Sequence, residues 1–470
     1  MNRWEPVIGL EIHVHLKTRT KMFCACAVEY GAEPNTLTCP VCLGHPGTLP
    51  VPNARAVEWT VKLGLALGCE IAAHAVFHRK NYFYPDLAKG YQISQYDEPL
   101  CRDGRFLVPT AEGELEVGIV RAHLEEDAAK IVHVGGAGGR IGGADYSLVD
   151  YNRAGTPLVE IVTRPDLRSA DDARRFLQLL RQTIVELGIS DAEMEKGTLR
   201  ADANISVRRA GDTGLRTRTE LKNMNSFSFI ARGIEAELAR QVEVWESGGE
   251  VVQQTYDFHA DTGALTARRT KEEAEDYRYF PEPDLVPLSP PPELVEPVRR
   301  QLPELPGARV GRLRADLDFE AATGLVTSGR DRLFEAVVAA GGEPRPTANV
   351  LMNQFATAGV DPAAVEADEF AKLIAARDRI PRDTFLRAVA ESGRPGFAAE
   401  PYLAEAAISD TDALAPLVER VLAENPKQVA SYRGGKEGVL GFFVGQVMRE
   451  TRGKADPKVV NELVREKLRA

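Results

Sequence analysis

The chain has 470 residues, of which 44% are hydrophobic and 27% are charged, and its formal net charge is −11. This length predicts about three domains, and the composition is ordinary for a soluble globular protein. The acidic balance argues against broad, non-specific binding of nucleic acid, although basic residues gathered on one face can still hold an RNA. Because no apolar run is long enough to span a membrane and the N-terminus lacks an apolar signal core, we expect a cytoplasmic protein.

The first predicted element is a β-strand over residues 7–16 with one apolar and one polar face. Its alternation places aliphatic side chains on one side and Glu11, His13 and His15 on the other. The apolar face alone would make a strand, so the polar face can be a merely solvated surface. Since Glu11 and His13 are neighbours on that face, they can instead share a metal ion or a proton.

Four of the six cysteines lie within one short segment, in the order Cys24, Cys26, Cys39 and Cys42. In a reducing compartment, this C-x-C and C-P-x-C pattern favours a structural zinc ion over disulfides, with free thiols as the alternative. The two remaining cysteines are expected to be buried as small apolar residues.

A helix is predicted over residues 54–67, and a segment rich in aromatic and basic residues follows at 79–96, including Lys80. Tyrosine and phenylalanine interleaved with lysine and arginine suit stacking on the bases of a single-stranded RNA end. An aromatic cluster packed at a sheet edge would have the same composition, so this pattern leaves both interpretations open.

Three consecutive acids, Glu125, Glu126 and Asp127, follow further along the chain. Acids are costly to gather unless they are solvated, as in an exposed turn, or bound to a cation. The functional interpretation is that a carboxylate of this run joins Glu11 and His13 around Mg²⁺, which prefers hard oxygen ligands.

Further polar motifs form a predicted turn, which contains Asn152 and Arg153, and two predicted strands at 198–207 and 219–225. The turn is predicted to present backbone amides and a guanidinium to an anion. Several polar strand faces in one domain suggest a sheet that cradles a nucleotide and its metal, because phosphoryl transfer needs cations at the phosphates and acids at the metal. These motifs contribute Asn152, Arg153, Arg200, Asn204, Glu220 and Lys222.

The first part of the chain combines these strands with two amphipathic helices that are predicted to begin at Ser169 and Ser226. Strands interspersed with a few helices predict a large α+β domain and not a regular doubly wound sheet. The glycine-rich run at 135–143 lacks the ending of a phosphate-binding P-loop and is interpreted as a flexible loop.

A proline-rich stretch at 281–292 breaks the pattern, because its prolines cannot lie in a continuous helix or a central strand. We therefore predict a first domain over residues 1–292. The helical remainder is divided into a linker domain at 293–400 and a tail domain at 401–470, which includes a closing helix.

The ordered motifs of the chain resemble those of the B-subunit family of tRNA-dependent amidotransferases. The motifs are VIGLEIHVHL, RKNYFYPD, HLEEDAAK, SLVDYNRAGTPLVEI, LRADANISV, ELKNMNSF and DYRYFPEPDL, with GGK, GFFVGQVM and GKADP in the tail. The match covers residues 7–288 and resumes in the tail at residue 434, while the helical region between them matches only in general character.

This resemblance implies a fold and a reaction. The first domain is expected to be a cradle related to glutamine synthetase and guanidino kinases, followed by an all-α domain and a helical YqeY-like tail. ATP would phosphorylate the side-chain carboxylate of the amino acid on misacylated Glu-tRNA(Gln) or Asp-tRNA(Asn), and ammonia would displace the phosphate. An amidase A subunit would release that ammonia from glutamine, and a small C subunit would wrap the interface between the A and B subunits.

With the resemblance, Glu11, His13 and Glu126 are the expected Mg²⁺ ligands, and Glu125 and Glu220 are the next candidates. Glu11 or Glu126 could also deprotonate incoming ammonium. Some family members carry a zinc knuckle, and its four cysteines are present here. The residues expected at the nucleotide are Lys80, Asn152, Arg153, Arg200, Asn204 and Lys222. Basic tail residues expected to contact the tRNA body are Arg449, Arg452, Lys454, Lys458, Arg465, Lys467 and Arg469.

Two rival interpretations stay open. A self-contained ATP-dependent ligase or kinase for a small carboxylate would be active without tRNA. A zinc-bearing RNA-binding scaffold would keep its tRNA affinity after loss of Glu11, His13 and Glu126. The sequence contains no recognisable Ser-Ser-Lys amidase motif, so the amidotransferase interpretation predicts that this chain alone releases no ammonia from glutamine.

Overall fold

The structure is a computed structural model that describes residues 3–135, 143–268, 277–404, 411–451 and 455–469. Most of the predicted glycine-rich loop, and the tail residues Arg452 and Lys454, lie outside these described residues. The chain divides into two compact units, Met1–Gly311 and Arg312–Ala470. The first combines strands and helices and the second is helical where described, so the mixed fold class predicted from the sequence is confirmed at that level.

Strands dominate the first unit. In chain order they are β1 (Trp4–His15), β2 (Glu70–Ile71), β3 (Phe77–Asn81), β4 (Tyr91–Gln95), β5 (Cys101–Thr110), β6 (Gly113–Glu126), β7 (Lys130–Val134), β8 (Tyr146–Asp150), β9 (Pro157–Thr163), β10 (Leu199–Arg209), β11 (Thr219–Lys222), β12 (Thr255–His259), β13 (Ala264–Ala267) and β14 (Phe280–Pro281). Nine of them form one sheet in the order β13-β12-β11-β10-β1-β9-β6-β5-β2. Strands β14, β3 and β4 form a three-stranded sheet, and β7 pairs with β8.

Helices α1 (Ala54–Ala66), α2 (Ala170–Glu186) and α3 (Phe227–Glu246) lie where the sequence predicts them. The backbone N–H of Asp172 donates to the Ser169 hydroxyl at the start of α2, and the N–H of Phe229 donates to the Ser226 hydroxyl at the start of α3. Each serine accepts a hydrogen bond from a backbone amide in the first turn of its helix, and that amide would otherwise lack a partner. This explains why the two helices begin there.

The nine-stranded sheet has one apolar face covered by helices. The apolar residues of β1 are buried, and Leu10 pairs across the sheet with Ala203, which in turn pairs with Leu221. On that side Gly233 of α3 lies against Leu221, since a Cβ built on this glycine would come 2.7 Å from its side chain. The predicted alternation of β1 is thus confirmed, and the opposite face carries Glu11 and the two histidines of this strand.

The first unit extends beyond the boundary predicted at residue 292. Helix α4 (Pro292–Arg300) packs against α1, so the proline-rich stretch turns the chain back onto the first unit. Arg309 also donates to Glu186 at the end of α2, over a distance of 2.8 Å. These contacts move the division between compact units to residue 311.

The remaining helices are short. They are α5 (Pro306–Leu313), α6 (Phe319–Thr327), α7 (Asp331–Ala339), α8 (Pro344–Ala358), α9 (Ala367–Ala376), α10 (Arg382–Glu391), α11 (Glu400–Leu403), α12 (Thr411–Glu424), α13 (Pro426–Arg433), α14 (Leu440–Glu450) and α15 (Pro457–Arg469). Helices α12 to α15 share a core of buried side chains, including Val418, Phe443 and Val464. The separate tail domain from residue 401 stays a prediction. None of the described helices is both long and apolar enough to cross a membrane.

Gly104 of β5 lies too close to its neighbours to accept a side chain. An added Cβ would come 2.4 Å from Sγ of Cys69 and 2.6 Å from the carbonyl oxygen of Leu67. Because that carbonyl is held by the backbone, we expect Gly104→Ala to lower the free energy of unfolding by about 1–3 kcal/mol, measured by urea denaturation. Gly113→Ala is the matched control, since its Cβ would meet nothing within 4 Å. Equal stability of the Gly104 variant and the original chain would contradict this packing.

Candidate functional site

The open face of the nine-stranded sheet (the face not covered by helices) gathers polar side chains from four adjacent strands. His13 of β1 lies opposite Arg200 of β10 and opposite Glu160 of β9, and Glu160 lies opposite His123 of β6. Directly paired residues of antiparallel strands point to the same side of a sheet. The pairing therefore brings these polar residues into one row across the sheet.

The centre of this row is an acidic cluster formed by His13, Glu125 and Glu160. Nε2 of His13 lies 3.4 Å from Oε2 of Glu160 and 4.0 Å from Oε1 of Glu125. One ligand atom from each residue lies within 4.8 Å of the others. The Ser94 hydroxyl donates to the second oxygen of Glu125 at 3.0 Å, which fixes that carboxylate. Two carboxylates and an imidazole converging in this way can hold a divalent cation.

Burial shapes the charges of the acidic cluster. Burial and the neighbouring charge of Glu160 raise the pKa of Glu125. Burial alone would lower the pKa of His13, but the hydrogen bond and the charge of Glu160, with the charge of Glu125, raise it. Burial lowers the pKa of His123 to about 4, so this imidazole is neutral at physiological pH. Two adjacent buried carboxylates favour a cation beside them.

Lys80 of β3 faces the same cluster from a wall of tyrosine rings. Its ammonium lies 4.9 Å from the centre of the Tyr277 ring, and Tyr277 packs edge-on against Tyr82 and Tyr279. Burial alone would lower the pKa of Lys80, but the charge of Glu125, reinforced by Tyr279, raises it. The charges of Glu125 and Glu160 therefore favour the charged form of Lys80.

A partly buried ion pair links the segment that carries Tyr277 and Tyr279 to β3. Nε and Nη2 of Arg79 donate to the two carboxylate oxygens of Glu282, at 2.7 and 2.8 Å. The side-chain amide of Asn81 donates to the carbonyl of Arg278 at 2.9 Å. These contacts hold the segment around Arg278 and Glu282 against strand β3, which carries Lys80.

The predicted residues of β10 and β11 also lie on the open face, beside Glu11. The side-chain amide of Asn204 donates to Glu11 at 3.0 Å, while its buried oxygen finds no partner among the described residues. Nζ of Lys222 donates to Asp202 at 2.6 Å and lies 3.2 Å from Glu220. Glu11, Asn204, Glu220 and Lys222 thus extend the polar row along the sheet.

Asp127, directly after β6, is the centre of a further charged group. Its Oδ2 accepts hydrogen bonds from Nε2 of His15 at 2.7 Å and from Nη2 of Arg200 at 3.2 Å, and lies 3.4 Å from Nε of Arg153. Although burial opposes ionisation, Arg200, His15 and Arg153 hold the pKa of Asp127 well below its usual range. The side chain of Arg200 remains 42% exposed, so part of its guanidinium can reach a ligand.

Glu126 lies outside the acidic cluster of His13, Glu125 and Glu160, and its role as a Mg²⁺ ligand stays a prediction. Its Oε1 accepts hydrogen bonds from the ammonium of Lys89 and from the backbone N–H of Ile93, so this acid already has a cation and an amide. Adjacent residues of a strand point to opposite sides of the sheet. Glu125 therefore reaches His13, and Glu126 does not.

The side chains of the predicted anion-binding turn make hydrogen bonds within the protein, and the binding of an anion by this turn stays a prediction. Asn152 accepts a hydrogen bond from the N–H of Leu37 and donates to the carbonyl of Glu33, so its side chain fastens the cysteine-bearing segment. Arg153 donates through Nε to the carbonyl of Ala128 and through Nη2 to that of the next residue. Both side chains position loops around the open face.

The four clustered cysteines form a second candidate site. Their four sulfur atoms lie within 4.8 Å of one another, and none of the four cysteines forms a disulfide. Hydrogen bonding with Cys24 and with the backbone of Cys39, aided by the charge of Lys21, lowers the pKa of Cys42 to about 4. Four converging cysteine sulfur atoms fit the tetrahedral coordination of zinc.

Sequence reasoning did not assign a site role to Glu160, Tyr277 or Tyr279, and it considered Asp127 only as part of the acidic run. Glu160 is the single charged residue of β9, whose other residues are nearly all apolar. A single acid in an apolar strand could have indicated a functional residue, because burying a carboxylate without a partner is costly. Tyr277 and Tyr279 belong to the DYRYFPEPDL motif, but their position beside Lys80 depends on the fold, because the motif lies far from Lys80 along the chain.

Comparison with known proteins gives a consistent match. Residues 6–296 match the family model described as GatB/GatE catalytic domain, and residues 332–468 match the YqeY-type model described as GatB domain. The chain is 48% identical, over 99% of both chains, to the B subunit of the aspartyl/glutamyl-tRNA(Asn/Gln) amidotransferase of Geotalea daltonii. It is 47% identical to the protein of the same name from Moorella thermoacetica, over 99% of this chain and all of the relative.

Proposed function

Since this chain belongs to the B-subunit family of aspartyl/glutamyl-tRNA(Asn/Gln) amidotransferases, we propose that the open face of its nine-stranded sheet is where ATP activates a carboxylate. The chain is one subunit of a tRNA-dependent amidotransferase, a glutamine-dependent carbon–nitrogen ligase. The observation that carries the proposal is the convergence of His13, Glu125 and Glu160 within 4.8 Å.

The proposed reaction has two steps, because an ionised carboxylate is a poor electrophile. First, an oxygen of the side-chain carboxylate on Glu-tRNA(Gln) or Asp-tRNA(Asn) attacks the γ-phosphorus of ATP, and ADP leaves. Ammonia then attacks the acyl carbon of the resulting acyl phosphate. Phosphate leaves, a proton is lost, and the amide forms. In the proposed complex, an amidase A subunit supplies the ammonia and a small C subunit completes the assembly.

The residues of the acidic cluster fit Mg²⁺. His13, Glu125 and Glu160 would hold the ion, with Glu11 on the same face and the unpartnered oxygen of Asn204 beside it. When bound, Mg²⁺ neutralises charge on the nucleotide phosphates. We assign Glu11 the removal of a proton from incoming ammonium, because it has an amide partner but no ion pair within 4 Å among the described residues.

The cations of the open face would hold the phosphates. Arg200 and Lys80 are suited to this, since one is partly exposed and the other faces the carboxylates. Lys222 would follow if the phosphates displace one of its two acids, Asp202 or Glu220. A guanidinium can pair with two phosphate oxygens at once, whereas an ammonium acts as a point charge.

We propose that the tRNA meets the protein at two surfaces. Tyr82, Tyr277 and Phe83, a residue that is 84% exposed, would offer aromatic faces to the bases of the acceptor end. The described basic residues of the tail would contact the tRNA body, and they are Arg449, Lys458, Arg465, Lys467 and Arg469. The cytoplasmic location and the kinship of the cradle with glutamine synthetase remain predictions.

ATP turnover tests the proposal. The chain would be assayed with the A and C subunits and ammonia, using misacylated tRNA in parallel with correctly charged tRNA. We expect only the misacylated tRNA to stimulate ATP hydrolysis. ATP turnover that does not depend on tRNA would favour a ligase for a small carboxylate. Binding of tRNA without any ATP turnover would favour a non-catalytic RNA-binding scaffold.

The cysteine cluster should hold zinc in the purified chain. We expect Cys39→Ser to reduce bound zinc at least about tenfold, because the hydroxyl that replaces the thiol is a poor zinc ligand. Inductively coupled plasma mass spectrometry gives the zinc content. Cys69→Ser is the control, because this buried thiol lies outside the cluster and should leave zinc binding intact. Full zinc occupancy in the Cys39 variant would contradict the assignment.

A further inference from the structure

Lys21 is a buried lysine that lies directly beside the cysteine cluster. Its exposed fraction is 0%, and its ammonium lies 3.7 Å from Sγ of Cys42. It also donates to the carbonyl oxygen of Tyr151 at 3.1 Å. These two atoms are its polar partners among the described residues, and neither is a carboxylate. A buried ammonium is costly unless a negative charge lies beside it, so the charge of Lys21 needs an explanation.

We propose that Lys21 compensates the negative charge of a metal tetrathiolate formed by the four cysteines, and thereby sets how tightly the chain holds zinc. Four thiolates around a divalent cation leave two negative charges in excess. The ammonium of Lys21 offsets one of them at short range and out of contact with water, where charges interact strongly. This inference rests on the proposed zinc site.

The same lysine links the metal site to the candidate active site. The ammonium of Lys21 donates to the carbonyl of Tyr151, next to the turn at Asn152 and Arg153. Met22, the residue after Lys21, donates its N–H to the carbonyl of Gly155 at 2.7 Å. Gly155 in turn donates its N–H to the carbonyl of Asp127 at 2.9 Å. A short path of hydrogen bonds thus runs from the cysteine segment to Asp127. Metal retention would therefore steady the turn whose Gly155 is hydrogen-bonded to Asp127.

A purely structural lysine would behave differently from a charge-compensating one. A residue that only fills space stabilises the fold equally with and without metal. A charge-compensating lysine stabilises the metal-loaded form more than the metal-free form, because only the loaded site carries the two excess negative charges of the tetrathiolate next to its ammonium. The two roles separate when stability is measured in both states.

The test uses the full-length chain and Lys21→Met, which removes the charge but keeps the length of the side chain. Zinc affinity is measured by competition with a chelator, and thermal midpoints are recorded with and without zinc. Lys62→Met is the matched control, because Lys62 also donates to a backbone carbonyl, that of Leu187 at 2.7 Å, outside the metal site. We expect zinc affinity to fall about tenfold to a hundredfold in the Lys21 variant and to stay unchanged in the control. Zinc should also raise the thermal midpoint less in the Lys21 variant than in the original chain.

Equal zinc affinity in the Lys21 variant and the original chain would overturn the inference. An equal loss of stability with and without zinc would overturn it too, since that is the behaviour of a space-filling residue. If Lys21→Met does not fold, Lys21→Gln takes its place, because it is also uncharged but keeps a donor for Tyr151. If the original chain binds no zinc, the proposed zinc site itself is wrong. If the original chain and the Lys21 variant bind zinc equally well, only the proposed role of Lys21 is wrong.

Discussion

Glu160→Gln is expected to slow tRNA-dependent ATP turnover by about a hundredfold to a thousandfold. The change keeps the size of the side chain but removes a charge from the group that also contains His13 and Glu125. It therefore weakens the only cluster of carboxylates and imidazole that the described residues bring within ligand distance of one another. Turnover is measured in the complete complex with saturating misacylated tRNA.

A metal-binding measurement separates this effect from misfolding. Binding of Mn²⁺, followed by electron paramagnetic resonance as a substitute for Mg²⁺, should weaken in the Glu160 variant. Glu114→Gln is the control, because Glu114 lies exposed on the neighbouring strand β6 and should leave both turnover and Mn²⁺ binding unchanged. A Glu160 variant with normal turnover and normal Mn²⁺ binding would remove this residue from the site.

Asp127→Ala is expected to lower the free energy of unfolding by about 2–4 kcal/mol. Removing one partner of a fully buried ion pair costs about 3–5 kcal/mol. The cost is smaller here because Arg200 and Arg153 are partly exposed and can be solvated. Urea denaturation measures the change. ATP turnover should fall as well, since Arg200 loses the acid that orients it.

An exposed acid paired with an arginine provides the comparison for Asp127. Glu70 lies 3.0 Å from Arg102, and both side chains are largely exposed. We expect Glu70→Ala to change the free energy of unfolding by about 1 kcal/mol at most. If the two variants lose the same stability, Asp127 is not the buried organising charge that its contacts indicate.

The polar face of β1 could be predicted because it depends on local alternation alone. The choice between Glu125 and Glu126 could not, because it depends on how β6 pairs with β9. That pairing shifts register between Ile119 and Arg121, and such an irregularity reverses which residues face the site. One residue of register therefore decides which acid joins His13.

The remaining differences have the same origin in tertiary contacts. The prolines at 281–292 correctly mark a break in regular structure, but nothing local shows that the following helix returns to pack against α1. Asn152 and Arg153 have the composition of an anion-binding turn, yet neighbouring loops use their hydrogen-bonding groups. The clustering of the cysteines needs only short-range spacing, and it was predictable for that reason.

Transfer of a labelled oxygen tests the central claim most directly. Misacylated tRNA carrying ¹⁸O in the side-chain carboxylate of its amino acid would be converted by the complete complex with ATP and ammonia. If the open face activates that carboxylate by phosphorylation, one labelled oxygen should appear in inorganic phosphate for each amide formed, and Glu160→Gln should suppress label and amide together. Amide formation that leaves the phosphate unlabelled would contradict the account.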